Sequence, residues 1–269
     1  MPELPEVETI VRGLQSMVGS RIVDVVVLDP RLGIGSEIDR AGTDLRGQLI
    51  ESIDRRGKYI RIRTSGGQRL VVHLRMSGRL VVSCREEDLP YVRLRIELDR
   101  GTISFVNPRR LGTVELITGA FPHRLGIEPL SSEFTPGRLA ALLQLSRTPV
   151  KQFLLDQRRI AGLGNIYCSE ALWRARIDPR RPANSLTRDD ANRLHQGIVG
   201  VLQEAMEHMG TSFGVSVSDY RNAEGTGGLF QDRLAVYGRQ GEACRVCETP
   251  ISRFAQGGRS TYWCDQCQN

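Results

Sequence analysis

Hydrophobic and polar positions divide the chain into stretches of different period. Between Glu6 and Val18, the residues Val7, Ile10, Val11, Leu14 and Met17 recur every three or four positions, and Gly19 follows as a stop. That spacing predicts one helix with a single apolar face. From Arg21 to about Ile117 the pattern changes to short β-branched runs, RIVDVVVLD, KYIRIRT, RLVVHLR and VRLRIEL, separated by Gly, Asp, Asn and Pro. Alternation at this spacing predicts an antiparallel sandwich or barrel. After about Phe121 the helical period returns. TPVKQFLLDQ predicts a helix with Thr148 as N-cap and Pro149 at its first position. TRDDANRLHQGIVGVLQEAMEHMG predicts another, opened by a Thr187/Asp190 capping box and ended by Gly210. Its apolar set of Leu194, Ile198, Val201, Leu202, Ala205 and Met209 reads as a packing face. Ser216 to Gly228 is polar and glycine-rich and reads as a mobile loop. There is no internal repeat.

The expected class is therefore α+β. A β-rich domain covers residues 1–120, a helical domain 130–228, and a small cysteine-bearing unit 235–269. A chain of 269 residues has ample length to bury a core, and 40% apolar content is ordinary for a globular protein. No apolar run reaches membrane-spanning length and the acidic start is unlike a signal peptide, so the expected location is the cytoplasm. A net charge of +6 makes nucleic acid a plausible partner, although such charge is commonly just a solvated surface. Of 37 basic residues, all but Lys58 and Lys151 are Arg. Arg stays protonated, whereas Lys can lose its proton and offers a compact point charge, which marks both lysines as functional candidates.

Cys244-x2-Cys247 is followed, sixteen residues later, by Cys264-x2-Cys267. This is the spacing of a four-thiolate zinc site, in which the filled shell makes the metal structural. Disulfides compete as a reading but suit an oxidising compartment. Arg253, Arg259 and the small residues of GGRST lie between the pairs, where a hairpin projects them as a basic finger for a nucleic-acid groove.

The opening MPELPEVET sets Pro2 beside Glu3, Glu6 and Glu8. Removal of Met1 leaves a secondary amine at the terminus. α-Amines titrate near neutrality, so a useful fraction is unprotonated and nucleophilic, and a flanking carboxylate can move protons. The alternative is plain helix initiation, with Pro early and acidic residues in the first turn, and these nine residues alone favour it.

PELPEVET, RRGKY at 55–59, HLRMSG at 73–78, NPRRLG at 107–112, LLDQRRIAGLGNIYCSEALWRARIDP at 154–179, VYGRQGE at 236–242 and the finger with GGRSTYWCDQCQ occur in order along nearly the whole chain. Together they resemble the bacterial formamidopyrimidine-DNA glycosylases, which excise oxidised purines and cut the abasic site left behind. The resemblance implies an N-terminal β-sandwich, a helix-two-turn-helix domain, a four-Cys zinc finger with one structural zinc, and a monomer acting on damaged duplex DNA in base excision repair. It implies that Pro2 is the nucleophile, Glu3 the acid/base carboxylate and Glu6 a supporting one. Lys58 corresponds to the proton donor for β-elimination and Arg259 to that for δ-elimination.

The same resemblance implies that Arg110, Lys151 and Asn165 meet the DNA backbone, Asn165 from a helix N-terminus in Gly162-Leu163-Gly164-Asn165. Met76, Arg109 and Leu111 correspond to the side chains that fill the hole left by the flipped base. Without the resemblance, core packing is the simpler reading of Met76 and Leu111. Departures from the family pattern are Leu111 for a usual Phe, Asn107 for Asp, Arg75 for Gly, and Tyr91 where a DNA-contacting His is frequent. They bear on lesion preference more than on the reaction. The 216–228 loop lies where the family closes over the flipped base, with Tyr220 and the backbone around Thr226 as candidate contacts. Two other readings stand beside this one. The endonuclease VIII-like branch prefers oxidised pyrimidines but typically begins PEGPE, and a damaged-DNA-binding protein without catalysis sits poorly with an intact Pro2, Glu3 and Lys58.

Overall fold

The computed structural model describes residues 1–29, 31–32, 37–82, 84–214 and 219–268; residues 216–218 of the expected loop lie outside the described residues. The chain divides into two compact units, one of residues 1–123 with 206–231 and one of 124–205 with 232–269.

In the first unit, helix α1 (Leu4–Gly13) precedes β1 (Ile22–Val27), and a single turn, α2 (Ala41–Asp44), follows β1. Strands β2 (Ile50–Arg56), β3 (Tyr59–Thr64), β4 (Gln68–His73), β5 (Arg79–Val81), β6 (Val92–Leu98), β7 (Gly101–Val106) and β8 (Thr113–Thr118) come next. They form two antiparallel sheets, ordered β1-β6-β7-β5 and β2-β3-β4-β8. Alternate residues from both sheets, among them Ile53, Ile60, Ile62, Leu70, Ile96, Ile103 and Phe105, share one buried core with Val7, Ile10, Val11 and Leu14 of α1. Each such side chain contributes on the order of 1.5–3 kcal/mol when fully buried. The sandwich expected from alternation is the observed architecture. Helix α1 stops earlier than the apolar spacing implies: after Gly13 the chain tightens into a 3-10 turn at Gln15–Met17 and reverses at Gly19, whose φ is +81°.

The second unit holds α3 (Pro136–Gln144), α4 (Val150–Leu155), α5 (Asn165–Arg174), most of α6 (Arg188–Glu207), and the hairpin of β9 (Ser252–Gln256) and β10 (Arg259–Trp263). Leu194, Ile198, Val201, Leu202 and Ala205 form the buried face of α6. Gly197 lets α6 approach α5, because a Cβ there would stand 2.7 Å from the Ala171 carbonyl oxygen. Met209 falls past the helix end with φ +58°, so it is not part of that face. Helix α4 begins one residue later than expected. Pro149 is extended and bridges Pro182, while the Thr148 hydroxyl is hydrogen-bonded to Ser146 Oγ instead of capping. No helix among the described residues is long and apolar enough to cross a membrane.

Candidate active site and nucleic-acid interface

The first turn of α1 gathers the acidic start. Pro2, Glu3 and Glu6 are all buried, the carboxylates to 2% and 1% exposure. Glu3 is the N-cap; its N–H donates to Glu6 Oε2 at 2.8 Å, and the Glu6 N–H returns a bond to the Glu3 side chain. This is a capping box with Glu in the place usually held by Ser or Thr. Glu6 Oε1 also accepts the Thr211 N–H at 2.8 Å, and Gly210 is required there because a Cβ would meet Glu6 Oε1 at 2.6 Å. Glu6 therefore fixes the backbone of Glu3 against the 206–231 segment, and Glu3 stays beside Pro2. The Tyr220 phenol is pushed up by burial and by the Glu6 charge.

Lys58, 6% exposed, follows Gly57 in the β2–β3 turn. His73 pairs with Tyr59 across β3–β4, their rings edge to face at 4.5 Å, and His123 stacks on Tyr59 at 4.5 Å. Burial, followed by the charges of Arg75 and Lys58, lowers the His73 pKa to about 3. The ring is thus neutral near pH 7, with Nδ1 accepting the Arg75 N–H at 3.0 Å, which assigns the proton to Nε2. His73 of HLRMSG, which the sequence alone did not single out, is a buried neutral imidazole paired in register with the residue after Lys58.

The Met76 and Arg109–Leu111 turns are exposed. Met76 is 44% and Leu111 48% accessible, so core packing does not account for either. Arg109 donates its N–H to Ser77 Oγ at 3.4 Å, joining the two turns. Asn107 pins the second turn from inside, its Nδ2 donating to Gly112 O at 3.2 Å and its Oδ1 accepting Gly112 N–H at 3.4 Å. Arg75 and Arg110 adopt left-handed backbone, φ +53° and +55°. Such a conformation suits Gly, which explains why Arg75 is a departure worth noting. Arg110 lies 3.4 Å from Asp29. Burial works against that carboxylate, yet hydrogen bonds from Arg31 and the charges of Arg31 and Arg93 keep it below its ordinary value. Tyr91 is half-buried, and its carbonyl accepts the Asn107 N–H at 2.8 Å.

In the second unit, Gln157 shapes the Gly162–Asn165 turn by accepting the Gly162 N–H at 2.9 Å and donating to Leu163 O at 2.6 Å. Asn165 opens the ten-residue helix α5, whose N-terminal end carries the positive end of the helix dipole. Gly257 and Gly258, with φ +57° and +73°, make the two-residue turn of the β9–β10 hairpin, and Arg259 stands exposed just after it. Lys151, for which the resemblance implies a phosphate contact, is fully buried: its ammonium donates to Ser260 O at 2.9 Å and Thr261 Oγ1 at 2.8 Å. Those two oxygens occupy the ammonium where a phosphate was expected.

The four sulfurs of Cys244, Cys247, Cys264 and Cys267 lie within 4.8 Å of one another, with Cys244–Cys267 at 3.9 Å and Cys247–Cys264 at 3.4 Å. A tetrahedral zinc with Zn–S near 2.3 Å needs S–S separations of about 3.8 Å. The cluster fits one Zn2+, which would cross-link the two Cys-x2-Cys turns and leave no open coordination position.

The N-terminal domain model of formamidopyrimidine-DNA glycosylase matches residues 1–114, its helix-two-turn-helix domain model matches 125–217, and a zinc finger found in these enzymes and in isoleucyl-tRNA synthetase matches 241–269. The chain is 41% identical over 275 residues to the formamidopyrimidine-DNA glycosylase of Chloroflexus aurantiacus, covering 100% of this chain and 98% of that one. It is 43% identical over 281 residues to that of Gluconobacter oxydans, with both chains covered completely, at 100% each. Among solved structures, the MutM (Fpg) protein of Thermus thermophilus superposes with a TM-score of 0.88 at 40% identity, covering 99% of this chain and 98% of that one. A Lactococcus lactis Fpg mutant bound to DNA containing Fapy-dG superposes with a TM-score of 0.89 at 34% identity, each chain 99% covered.

Proposed function

Because the chain belongs to the formamidopyrimidine-DNA glycosylase family, we propose that it excises oxidised purines such as 8-oxoguanine and formamidopyrimidines from duplex DNA and cleaves the abasic site it creates. The observation that carries this reading is the buried Pro2-Glu3 start held by Glu6. With Met1 removed, the Pro2 amine becomes the chain terminus at the N-terminal end of α1, next to the buried Glu3 carboxylate. The amine attacks C1′ of the damaged nucleoside. Glu3 moves protons as the base departs and the sugar ring opens, giving an iminium between Pro2 and C1′. The iminium acidifies the adjacent C2′, so β-elimination expels the 3′ phosphate and δ-elimination the 5′ phosphate. Lys58 and Arg259 are the proposed proton donors for these two steps.

Met76, Arg109 and Leu111 fill the vacated stack, a role their exposure supports. Arg110 and Asn165 are proposed backbone contacts, and Tyr91 is assigned the place of a DNA-contacting His. Zinc holds the finger, and the protein works as a monomer in the cytoplasm, a compartment that keeps the thiols reduced.

Borohydride trapping tests the reading on two duplexes, one with 8-oxoguanine opposite cytosine and one with an oxidised thymine. The expected result is a reduced adduct that maps to Pro2 and forms mainly with 8-oxoguanine. Preference for the thymine lesion would move the protein to the endonuclease VIII-like branch with its chemistry intact. Absence of any adduct, with a free Pro2 verified by mass spectrometry, would leave a damaged-DNA-binding protein.

A further inference from the structure

We propose that Lys151 is a positioning residue: it pins the tip of the zinc-finger hairpin so that Arg259 is presented in a fixed place, and it does not itself touch DNA. Lys151 lies in the first turn of α4, is 0% exposed, and spends two ammonium protons on Ser260 O and Thr261 Oγ1. Thr261 is also 0% exposed. A buried ammonium is costly unless hydrogen-bonded, so moving Nζ out to a phosphate would break both bonds and empty the site it fills. The acceptor carbonyl belongs to the residue after Arg259 and is bonded a second time, by Asn165 Nδ2 at 2.9 Å. Gln152, next to Lys151, closes on the turn itself, its Nε2 lying 2.7 Å from where a Cβ of Gly257 would stand. Gln256 Nε2 donates to Pro179 O at 3.1 Å on the other side of the turn. Helices α4 and α5 and the hairpin tip thus form one braced cluster inside the second unit, with Lys151 at its centre. The use of Lys in a chain that otherwise uses Arg for every cation except Lys58 fits this place. A compact point charge can donate to a carbonyl and a hydroxyl side by side, where a planar guanidinium fork would not fit.

The consequence concerns the δ-elimination that the proposed function assigns to Arg259, and this inference rests on that reading. A group misplaced by about 1 Å can lose on the order of 100-fold in rate. Loosening the tip should therefore change the ratio of δ- to β-elimination products. The experiment uses the zinc-loaded full chain and a duplex carrying a preformed abasic site, with the variants Lys151→Met, Thr261→Val, Arg259→Ala and Lys151→Met/Arg259→Ala. Retained zinc shows that each finger is folded. Lys151→Met is expected to lower the δ:β ratio at least fivefold, and Thr261→Val to lower it in the same direction by a smaller factor. In the Arg259→Ala background, Lys151→Met should leave duplex affinity within twofold and the salt dependence unchanged. Amide exchange at residues 257–261 should quicken in Lys151→Met without any DNA present. A direct phosphate contact predicts otherwise: a further loss of affinity in the Arg259→Ala background, with the slope of log K against log salt reduced by about 0.9. That result would overturn the proposal, as would an unchanged δ:β ratio in Thr261→Val. The exchange measurement needs no chemistry, so failure of wild type to form a Schiff base would reject the enzymatic reading while the exchange data still decide whether Lys151 pins the tip.

Discussion

The imidazole of His73 shows how one buried residue ties stability to pH. Its pKa of about 3, set first by burial and then by Arg75 and Lys58, compares with an ordinary value of 6.5. The unfolded chain therefore binds a proton below pH 6.5 that the folded chain refuses until about pH 3. Stability from this residue is complete above pH 6.5 and is lost as pH falls through that window. Between pH 7 and pH 5 the loss is about 2 kcal/mol, since each pH unit inside the window is worth about 1.4 kcal/mol. Urea midpoints at the two pH values should differ accordingly in the wild type and by much less in His73→Asn; equal shifts in the two would place the acid sensitivity elsewhere. Leu111 invites a second test at the same scale. It is 48% exposed and apolar, so it can wedge into a base step, but it lacks the aromatic face that gives stacking about 1–3 kcal/mol per base. Leu111→Phe should raise the ratio of kcat/KM for 8-oxoguanine opposite cytosine to that opposite adenine by about three- to tenfold, and an unchanged ratio would remove Leu111 from opposite-base discrimination.

At the scale of elements, legibility followed the range of the forces involved. The sandwich strands were readable because alternation is written locally, as in KYIRIRT, whose Ile60 and Ile62 are buried while Arg61 and Arg63 are not. Helix ends were less so. Pro149 was drawn out of α4 by its bridge to Pro182, a contact across more than thirty residues that no local rule contains. The zinc ligands, read from spacing alone, do converge, but the burial of Lys151 depends on a hairpin about a hundred residues away. Glu170 stands inside the 154–179 stretch with nothing local to mark it, yet its side chain is fully buried. From α5 it accepts the N–H groups of Ala235, Val236 and Tyr237 at 2.8, 3.0 and 2.9 Å, fixing the strand of chain that enters the finger. Burial drives its pKa up against those three donors. Glu170→Gln keeps one acceptor and turns an NH2 group toward the remaining N–H groups, leaving at least one unsatisfied. A cost of about 3 kcal/mol is expected from urea unfolding followed by a second-unit probe such as Trp173 fluorescence. A loss below about 0.5 kcal/mol would mean that the carboxylate is dispensable to the entry segment.

Taken whole, the molecule divides its stability unevenly. A linear reading cannot show that residues 206–231 return to the first unit, because the bond that announces it joins Glu6 and Thr211, 205 positions apart. That unit has a core drawn from two four-stranded sheets and α1. The finger, by contrast, buries Val236, Cys244, Ile251 and Cys264, with Trp173, Tyr262 and Cys267 packed at the edge. Its tip is braced to α4 and α5 by Lys151 and Asn165, but so small an apolar cluster needs a metal to hold the two Cys-x2-Cys turns at its base. Zinc binding free energy is then folding free energy for this segment. Chelation should therefore abolish exchange protection at residues 241–268 while leaving that of the β-sandwich within twofold. Arg253 and Arg259 lie on the hairpin, so duplex affinity should fall more than tenfold and its salt dependence should weaken by about 0.9 for each phosphate no longer neutralised. Readdition of Zn2+ should restore both. If affinity survived with the finger unprotected, the hairpin would be a stabilising clip for the second unit and the cations that grip DNA would have to be sought on the helices. Loss of sandwich protection together with the finger would instead show that the metal supports the whole chain, and that two compact units unfold as one.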